Sequence, residues 1–288
     1  MRTNSPVTSN WRDALAAAAK VVGDRDARLI VGHVADWTPA ELALHSDEPV
    51  NDKLQASIDG RVGRRASGEP LQYVLGSWGF RTLDLYVDRR VLIPRPETET
   101  VVEVALAALR ALRSDGDRPT VVDLGTGSGA IALSIAKEVP DSHVWATDAS
   151  PDAIEVARLN LIGLGQAAAG RVDLKLGNWF DALPGALMGM ITLVVTNPPY
   201  VGAGETLPAE VEEWEPVAAL RSGERGLDAI EQIVAAAPRW LGRPGALVLE
   251  HAPDQAEEIT RMAKTAGAEA VSTHPDLVGR PRCTVAKW

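Results

Sequence analysis

From Pro119 to the C-terminus the chain alternates short, β-branched apolar runs with amphipathic stretches of helical length, and this alternation constrains the fold more than any other feature. "TVVDL", "HVWATD", "RVDLKLG", "MITLVVTN", "GALVLEHA", "AEAVSTH" and "RCTVAKW" read as strands. "GAIALSIAKEV", "SPDAIEVARLNLIGLG", "GLDAIEQIVAAAPRWL" and "DQAEEITRMAKTAG" read as helices, the second capped by Ser150 with Pro151 following. Strands separated by helices of this length form a mostly parallel sheet with both faces covered. The pattern predicts an α/β, doubly wound, mostly parallel seven-stranded sheet, with its ligand across the carboxyl ends of the strands.

The first seventy residues have a different texture. "NWRDALAAAAKVV" carries Trp11, Leu15 and Ala18 at helical spacing, and "DARLIVGHVADW" offers Leu29, Ile30, His33 and Trp37 on one side. "TPAELALH" starts with Thr38 as N-cap and Pro39 at the first helical position, and "NDKLQASIDGRVGRRASG" is a fourth helix. From Gly68 the chain turns rich in Gly, Pro and aromatics, and "FRTLDLYVD" alternates as one strand of a hairpin. The expected division is a small helical domain over 1–69, a β-hairpin connector over 70–93, and the α/β domain over 94–288, which begins with the helix "ETETVVEVALAALRALR".

Composition removes whole classes. The single cysteine, Cys283, permits no internal disulfide framework and no cysteine cluster for a metal, and it reads as a buried structural residue. The five histidines show no ligand spacing, and His33 and His45 read as packing or surface residues, so no metal is expected. A net charge of −10 opposes long-range attraction to nucleic acid. The basic stretch with Arg61, Arg64 and Arg65 reads as a solvated helix face, with a partner-binding patch as the alternative. There is no apolar run of membrane-spanning length and no secretory h-region, so the expected home is the cytoplasm, with no membrane partner.

"VVDLGTGSGAIAL" is strand, glycine turn, helix. Gly125, Gly127 and Gly129 allow a sharp turn and close approach of a ligand to the backbone, and the helix start supplies free N–H groups. Gly125, Gly127 and Ala130 also satisfy the relaxed dinucleotide fingerprint, and Asp148 stands where the acid for a ribose hydroxyl is expected. The turn alone therefore says nucleoside-containing cofactor without saying which. Asp123, two residues before Gly125, tilts the choice, because methyltransferases that use S-adenosylmethionine commonly place an acid there, near the methionine end of the cofactor.

The second motif is "VVTNPPYV". A buried strand ends in Asn197, two prolines and Tyr200, at the same sheet edge as the glycine turn. The Asn197 side-chain carbonyl and the Pro198 carbonyl are acceptors. Pro198 and Pro199 fix φ and remove backbone donors, and Tyr200 supplies a flat face. Such a ledge suits a planar –NH2 group whose nitrogen is a poor nucleophile, because acceptors for both hydrogens orient it and meet the positive charge that develops on attack. Asn197 cannot serve as a general base.

Here the sequence resembles the HemK family, the protein-(glutamine-N5) methyltransferases of peptide chain release factors. The resemblance runs from Gly68 to the C-terminus and rests on "GEPLQYVLG", "FRTLDLYVDRRVLIPRPETE", "VVDLGTGSGAIALSIA", "ATDASPDAIEVARLN", "GNWFDAL", "VVTNPPYV" and "EPVAALRSGERGLDAI". It implies the class I S-adenosylmethionine-dependent methyltransferase fold. It also implies S-adenosyl-L-methionine as cofactor, S-adenosyl-L-homocysteine as product, and a release-factor substrate with a Gly-Gly-Gln glutamine. Carried over by position, Gly125, Thr126, Gly127, Ser128 and Gly129 would line the methionine and ribose, and Asp148 would hold the ribose hydroxyls. Asn178, where many relatives carry Asp, and Trp179 would border the adenine. Asn197, Pro198, Pro199 and Tyr200 would bind the glutamine amide and carry the catalysis, with Asn197 also touching the cofactor. Phe80 and "LIPRPETE" would help cover the site, with Arg95 and Glu97 either part of it or structural. The helical domain would grip the release factor, and a monomer is expected.

Three alternatives stand beside this reading. A DNA adenine or cytosine amino-methyltransferase shares "NPPY", but it needs a basic cleft and usually a separate recognition region to take a base out of its stack. A nicotinamide-dependent oxidoreductase needs a catalytic set that the sequence does not offer. A non-catalytic binding module would leave Asn197 idle.

Overall fold

The computed structural model describes residues 9–114 and 116–288. The chain divides into two units, one made of the described residues up to Gly76 together with Ala209–Trp214, the other of Ser77–Pro208 and Glu215–Trp288.

The first unit is helical: α1 (Trp11–Val22), α2 (Asp24–Ala35), α3 (Pro39–Leu44), α4 (Asp52–Ala66) and α5 (Leu71–Leu75). Thr38 caps α3 as expected, in a reciprocal capping box with Glu41. The buried stripe of α2 is Ala27, Ile30 and Val31, while Leu29 is 39% exposed and His33 faces solvent. The expected Leu29-centred face is thus corrected. At 100° per residue the stripe that meets α1 and α4 runs through positions 27, 30, 31 and 34, and Leu29 falls outside it. His45 stacks on Trp37 with ring centroids 4.9 Å apart. Two of the three arginines of the basic stretch are committed inside this unit: Arg64 to Glu69 (2.7 Å), and Arg65 to Asp26 (2.7 Å) and Glu210 (2.9 Å).

The second unit opens with an antiparallel hairpin, β1 (Ser77–Phe80) and β2 (Leu83–Tyr86), joined by the two-residue turn Arg81–Thr82. Arg81 is left-handed (φ 51°) and is held there by its contacts: its N–H bonds Glu99, and its guanidinium bonds the Glu99 carbonyl, Glu103 and Glu138. Next come α6 (Pro96–Leu112), β3 (Thr120–Leu124), α7 (Ala130–Glu138), β4 (His143–Asp148), α8 (Pro151–Leu164), α9 (Gln166–Ala169), β5 (Val172–Leu176) and β6 (Ile191–Thr196). After the short α10 (Ala209–Trp214) of the first unit follow α11 (Val217–Leu220), α12 (Asp228–Trp240), β7 (Leu241–Glu250), α13 (Ala256–Thr265), β8 (Ala270–Pro275) and β9 (Pro281–Lys287).

The sheet has seven strands in the order β5-β4-β3-β6-β7-β9-β8. β3 to β7 are parallel, and β9 runs antiparallel to both its neighbours. α6, α7 and α8 pack together on one side, α12 and α13 on the other. Helices on both faces explain why β3 and β6 are almost continuously apolar, with Val121, Val122, Leu124, Leu193, Val194 and Val195 all fully buried. Strand order reverses between β3 and β6, and such a switch point opens a crevice at the carboxyl edge.

Candidate active site

The parallel register brings the functional residues to one level. Leu124 lies beside Thr196, and Thr196 beside Leu249, so Gly125, Asn197 and Glu250 follow at one level at the ends of three neighbouring strands. Thr196 Oγ1 donates to the Leu124 carbonyl (2.7 Å), which fastens the ends of β3 and β6 together. A cavity of about 510 Å³ opens at this edge.

The floor is the glycine turn. Gly125, Gly127 and Gly129 have φ of 72°, 55° and 86°, which ordinary residues avoid. The N–H groups of Gly125 and Thr126 donate to the Thr147 carbonyl, and Gly127 N–H donates to Asp148 Oδ2 (2.9 Å). Asp148 Oδ1 accepts from Ser150 N–H, so each carboxylate oxygen keeps a lone pair for the cavity. Burial raises the Asp148 carboxyl above its usual range, against the pull of these backbone bonds.

Asp123 has a different place from the one expected. It has no exposed surface and lies outside the cavity wall, beneath the turn. Its Oδ2 accepts from Thr126 Oγ1 (2.7 Å) and Ala132 N–H (3.1 Å), while Oδ1 is unpartnered. Burial pushes its carboxyl up to about 7, with Asp148 adding to the rise. Position 123 is inside a buried strand, so its side chain meets the start of α7 rather than the crevice.

One wall comprises Asn178 and Trp179. The Trp179 ring lies against the turn, so a Cβ on Gly125 would come within 3.3 Å of its Cζ3. The lining also includes Thr98 and Pro94, from "LIPRPETE", and Asn197 and Pro199. Of the expected residues, Gly125 to Ser128, Asp148, Asn178, Trp179, Asn197 and Pro199 line the cavity. Gly129, Pro198, Tyr200 and Phe80 do not. Gly129 starts α7 behind the turn, where a Cβ would meet Leu133 at 3.0 Å. Phe80 is 1% exposed: as the last residue of β1 it pairs with Leu83 and points into the core, not over the site. Arg95 is ion-paired with the buried Glu215, which also accepts from Ile93 N–H (3.2 Å).

The "NPPY" segment is tied to residues that sequence reasoning did not single out. Asn197 Nδ2 donates to Thr98 Oγ1 (3.2 Å), and Thr98 Oγ1 donates to Glu250 Oε2 (2.7 Å). Tyr200 OH donates to Glu250 Oε1 (3.1 Å), and the Tyr200 carbonyl accepts from Gln255 Nε2 (3.0 Å). Burial and the neighbouring Glu250 charge raise the Tyr200 hydroxyl well above its usual range. The sequence marks Glu250 only as an acid ending the apolar run "GALVLE"; that its strand adjoins "NPPY" is seen only in the fold.

The cavity suits a nucleoside-bearing cofactor. Its volume lies within the usual span for small-molecule sites, a glycine floor admits close approach, a carboxylate has spare acceptor capacity, and an aromatic ring stands beside them. Comparison with known proteins gives the same direction. Residues 7–76 match the PrmC N-terminal domain, and residues 103–214 the methyltransferase small domain. A release factor glutamine methyltransferase of Xylella fastidiosa is 41% identical over 274 residues, covering 95% of this chain and 96% of its own. The chain belongs to the release factor glutamine methyltransferase family. A Streptomyces coelicolor member is 43% identical over 239 residues, covering 81% of this chain and 82% of its own. The METTL16 methyltransferase domain shares the fold at 13% identity, with a TM-score of 0.53 over 93% of this chain and 97% of that one. The family resemblance read from the motifs and the class I methyltransferase fold both hold, and together they imply S-adenosylmethionine as methyl donor. No described helix is long and apolar enough to cross a membrane, and among the described residues no acid, histidine or cysteine cluster could hold a metal ion.

Proposed function

We propose that this protein methylates the side-chain amide nitrogen of the glutamine in the Gly-Gly-Gln motif of a peptide chain release factor. The observation that carries this reading is the Asn197 side chain. Its amide nitrogen is committed to Thr98, which leaves its carbonyl oxygen as an acceptor in the cavity wall. Pro198 does not line the cavity, but it stands between Asn197 and Pro199, which do, and its carbonyl, which takes no hydrogen bond among the described residues, would be the second acceptor.

S-adenosylmethionine, when bound, supplies an electrophilic methyl carbon and leaves as S-adenosyl-L-homocysteine. Asp148 would hold the ribose hydroxyls, Gly125 to Ser128 the ribose and methionine portion, and Asn178 and Trp179 the adenine. Asp123 acts from below by holding Thr126 and the first turn of α7. The Asn197 and Pro198 oxygens accept the two amide hydrogens and orient the nitrogen. They also stabilise the charge that develops as the nitrogen gives up its conjugation, a contribution of about 3–4 kcal/mol for a preorganised polar group. No strong base is needed before attack, because the proton is lost from a nitrogen already made acidic by alkylation. The helical unit, which matches the PrmC N-terminal domain, would grip the release factor, and the reaction belongs to the cytoplasm, where translation terminates.

Incubation with methyl-labelled cofactor and either a release factor or duplex DNA tests the assignment. Label is expected on the release factor alone. Label on DNA, or on a release factor whose Gly-Gly-Gln glutamine is changed to alanine, would overturn it.

A further inference from the structure

We propose that Glu250 is a positioning residue for methyl transfer: through Thr98 it fixes which end of the Asn197 amide faces the cavity, and through the Tyr200 hydroxyl it anchors the far end of the same tetrapeptide. This deepens the amide-methylation reading and rests on it.

Glu250 is fully buried and forms no ion pair among the described residues. A carboxylate in that state costs stability, so its retention calls for a role. It accepts from two hydroxyls, Thr98 Oγ1 at 2.7 Å and Tyr200 OH at 3.1 Å. A hydroxyl has one proton to give. Thr98 gives its proton to Glu250, so toward Asn197 it can only accept, and the Asn197 NH2 must turn to it. The Asn197 oxygen is thereby left for the substrate. Without the carboxylate, Thr98 could donate to Asn197 instead. The amide could then flip and oppose its own NH2 to that of the substrate. The carboxylate sets the polarity of the chain of hydrogen bonds.

The groups around Glu250 are the Thr98 and Tyr200 hydroxyls, Arg282 and Cys283 of β9, and Glu97 of α6. Burial pushes its carboxyl up to about 7, against the Thr98 bond and the Arg282 charge, with Glu97 adding to the rise. The polarity argument needs the ionised form, so turnover should fall as pH drops below that value.

The test uses the full-length protein, a release factor and S-adenosylmethionine, with the variants Glu250→Gln, Thr98→Val and Thr98→Ser. Glu250→Gln and Thr98→Val should each lower kcat about tenfold or more, as loss of one hydrogen bond to a charged group predicts. Cofactor affinity by calorimetry should stay within about threefold, because a loss confined to the transition state leaves ground-state binding alone. Thr98→Ser, which keeps the hydroxyl, should retain most of kcat. The double variant Glu250→Gln/Thr98→Val should be no worse than Glu250→Gln, since Thr98 acts on Asn197 through that carboxylate. The decline of wild-type kcat below about pH 7 should vanish in Glu250→Gln. A folded Thr98→Val or Glu250→Gln with wild-type kcat overturns the inference and leaves the function standing. If Glu250→Gln fails to fold, the Thr98 pair decides: equal kcat in the valine and serine variants refutes the inference. A wild-type protein that labels no release factor refutes the function itself, and this inference with it.

Discussion

Gly226→Ala should damage the site without touching any residue that lines it. Gly226 lies at φ +70°, and a Cβ there would sit 2.1 Å from the Tyr200 carbonyl oxygen and 2.7 Å from its carbon. Both obstacles are backbone, so no side chain can swing away. An ordinary contact begins near 3.4 Å, which means the two segments must part by more than 1 Å. Alanine in left-handed backbone costs about 1–2 kcal/mol, and overpacking a tight contact about 1–3 kcal/mol. Separation also strains the bonds from Gln255 Nε2 to the Tyr200 carbonyl (3.0 Å) and the Arg225 carbonyl (3.2 Å). A total loss of about 2–5 kcal/mol follows, and a melting temperature lower by roughly 5 °C or more.

The functional loss should exceed the loss of stability. Tyr200 ends the tetrapeptide that begins with Asn197, and misplacing a positioning group by about 1 Å can cost about a hundredfold in rate. The assay is kcat on a release factor at saturating cofactor, together with a thermal melt and cofactor affinity by calorimetry. Cofactor affinity should change little, because the glycine turn and Asp148 are on other strand ends. Gly204→Ala is the control: a Cβ there has nothing within 4 Å, and both kcat and melting temperature should stay near wild type. If Gly226→Ala melts and turns over like Gly204→Ala, the link between this close approach and the amide ledge is wrong.

Asn197→Ala should lower kcat about a hundredfold or more while cofactor affinity stays within several-fold, and strong loss of cofactor affinity with normal turnover would reverse its assigned role. Glu250 has a folded-state carboxyl pKa of about 7 against an ordinary 4.5. The folded state therefore holds the extra proton between those values, and stability falls as pH rises through that window, by about 3 kcal/mol for this group. Glu250→Gln should flatten that fall in urea titrations at pH 5 and pH 8, and parallel curves for the two proteins would contradict it. Arg81→Ala removes a guanidinium bonded to Glu138 (2.6 Å), Glu103 (3.1 Å) and the Glu99 carbonyl (3.2 Å). With the side chain only 15% exposed, a loss of about 1–3 kcal/mol is expected in denaturant titration, and a change below about 0.5 kcal/mol would make the cluster ornamental.

Much of the fold is written in one-dimensional patterns. The central strands β3, β6 and β7 were legible as apolar runs because a strand covered on both faces has little polar alternation to obscure it, while the edge strands β5 and β8 carry exposed polar residues. The glycine turn, Asp148 and Asn197 were legible because each directly ends or follows such a strand, and parallel strands discharge their ends at one edge. The misplaced residues fail where side-chain direction decides. Asp123 is two residues from Gly125 yet points under the turn, and Phe80 belongs to a hairpin whose pairing turns it inward. Thr98 and Glu250 were out of reach for another reason. They are 152 residues apart, and their 2.7 Å contact depends on β7 lying beside β6 and on how α6 is rotated against both. Neither strand order nor helix rotation is marked in local sequence.

The two halves of the site use the same device. Asp123 and Glu250 are both fully buried acids near the carboxyl ends of strands, both without an ion pair among the described residues, and each accepts a hydrogen bond from a threonine hydroxyl, Thr126 in one case and Thr98 in the other. A threonine that has given its proton away is an acceptor of fixed direction, which a neutral pair of side chains would not guarantee. Each buried charge destabilises the fold, since an apolar residue of similar shape would cost less there. The fold tolerates that cost at the strand ends because preorganised dipoles lower a transition-state barrier only if their orientation is settled before substrate arrives. Replacing either acid by an apolar residue of matching volume should therefore raise stability and lower activity, the trade expected where a site's polarity is fixed by a buried charge.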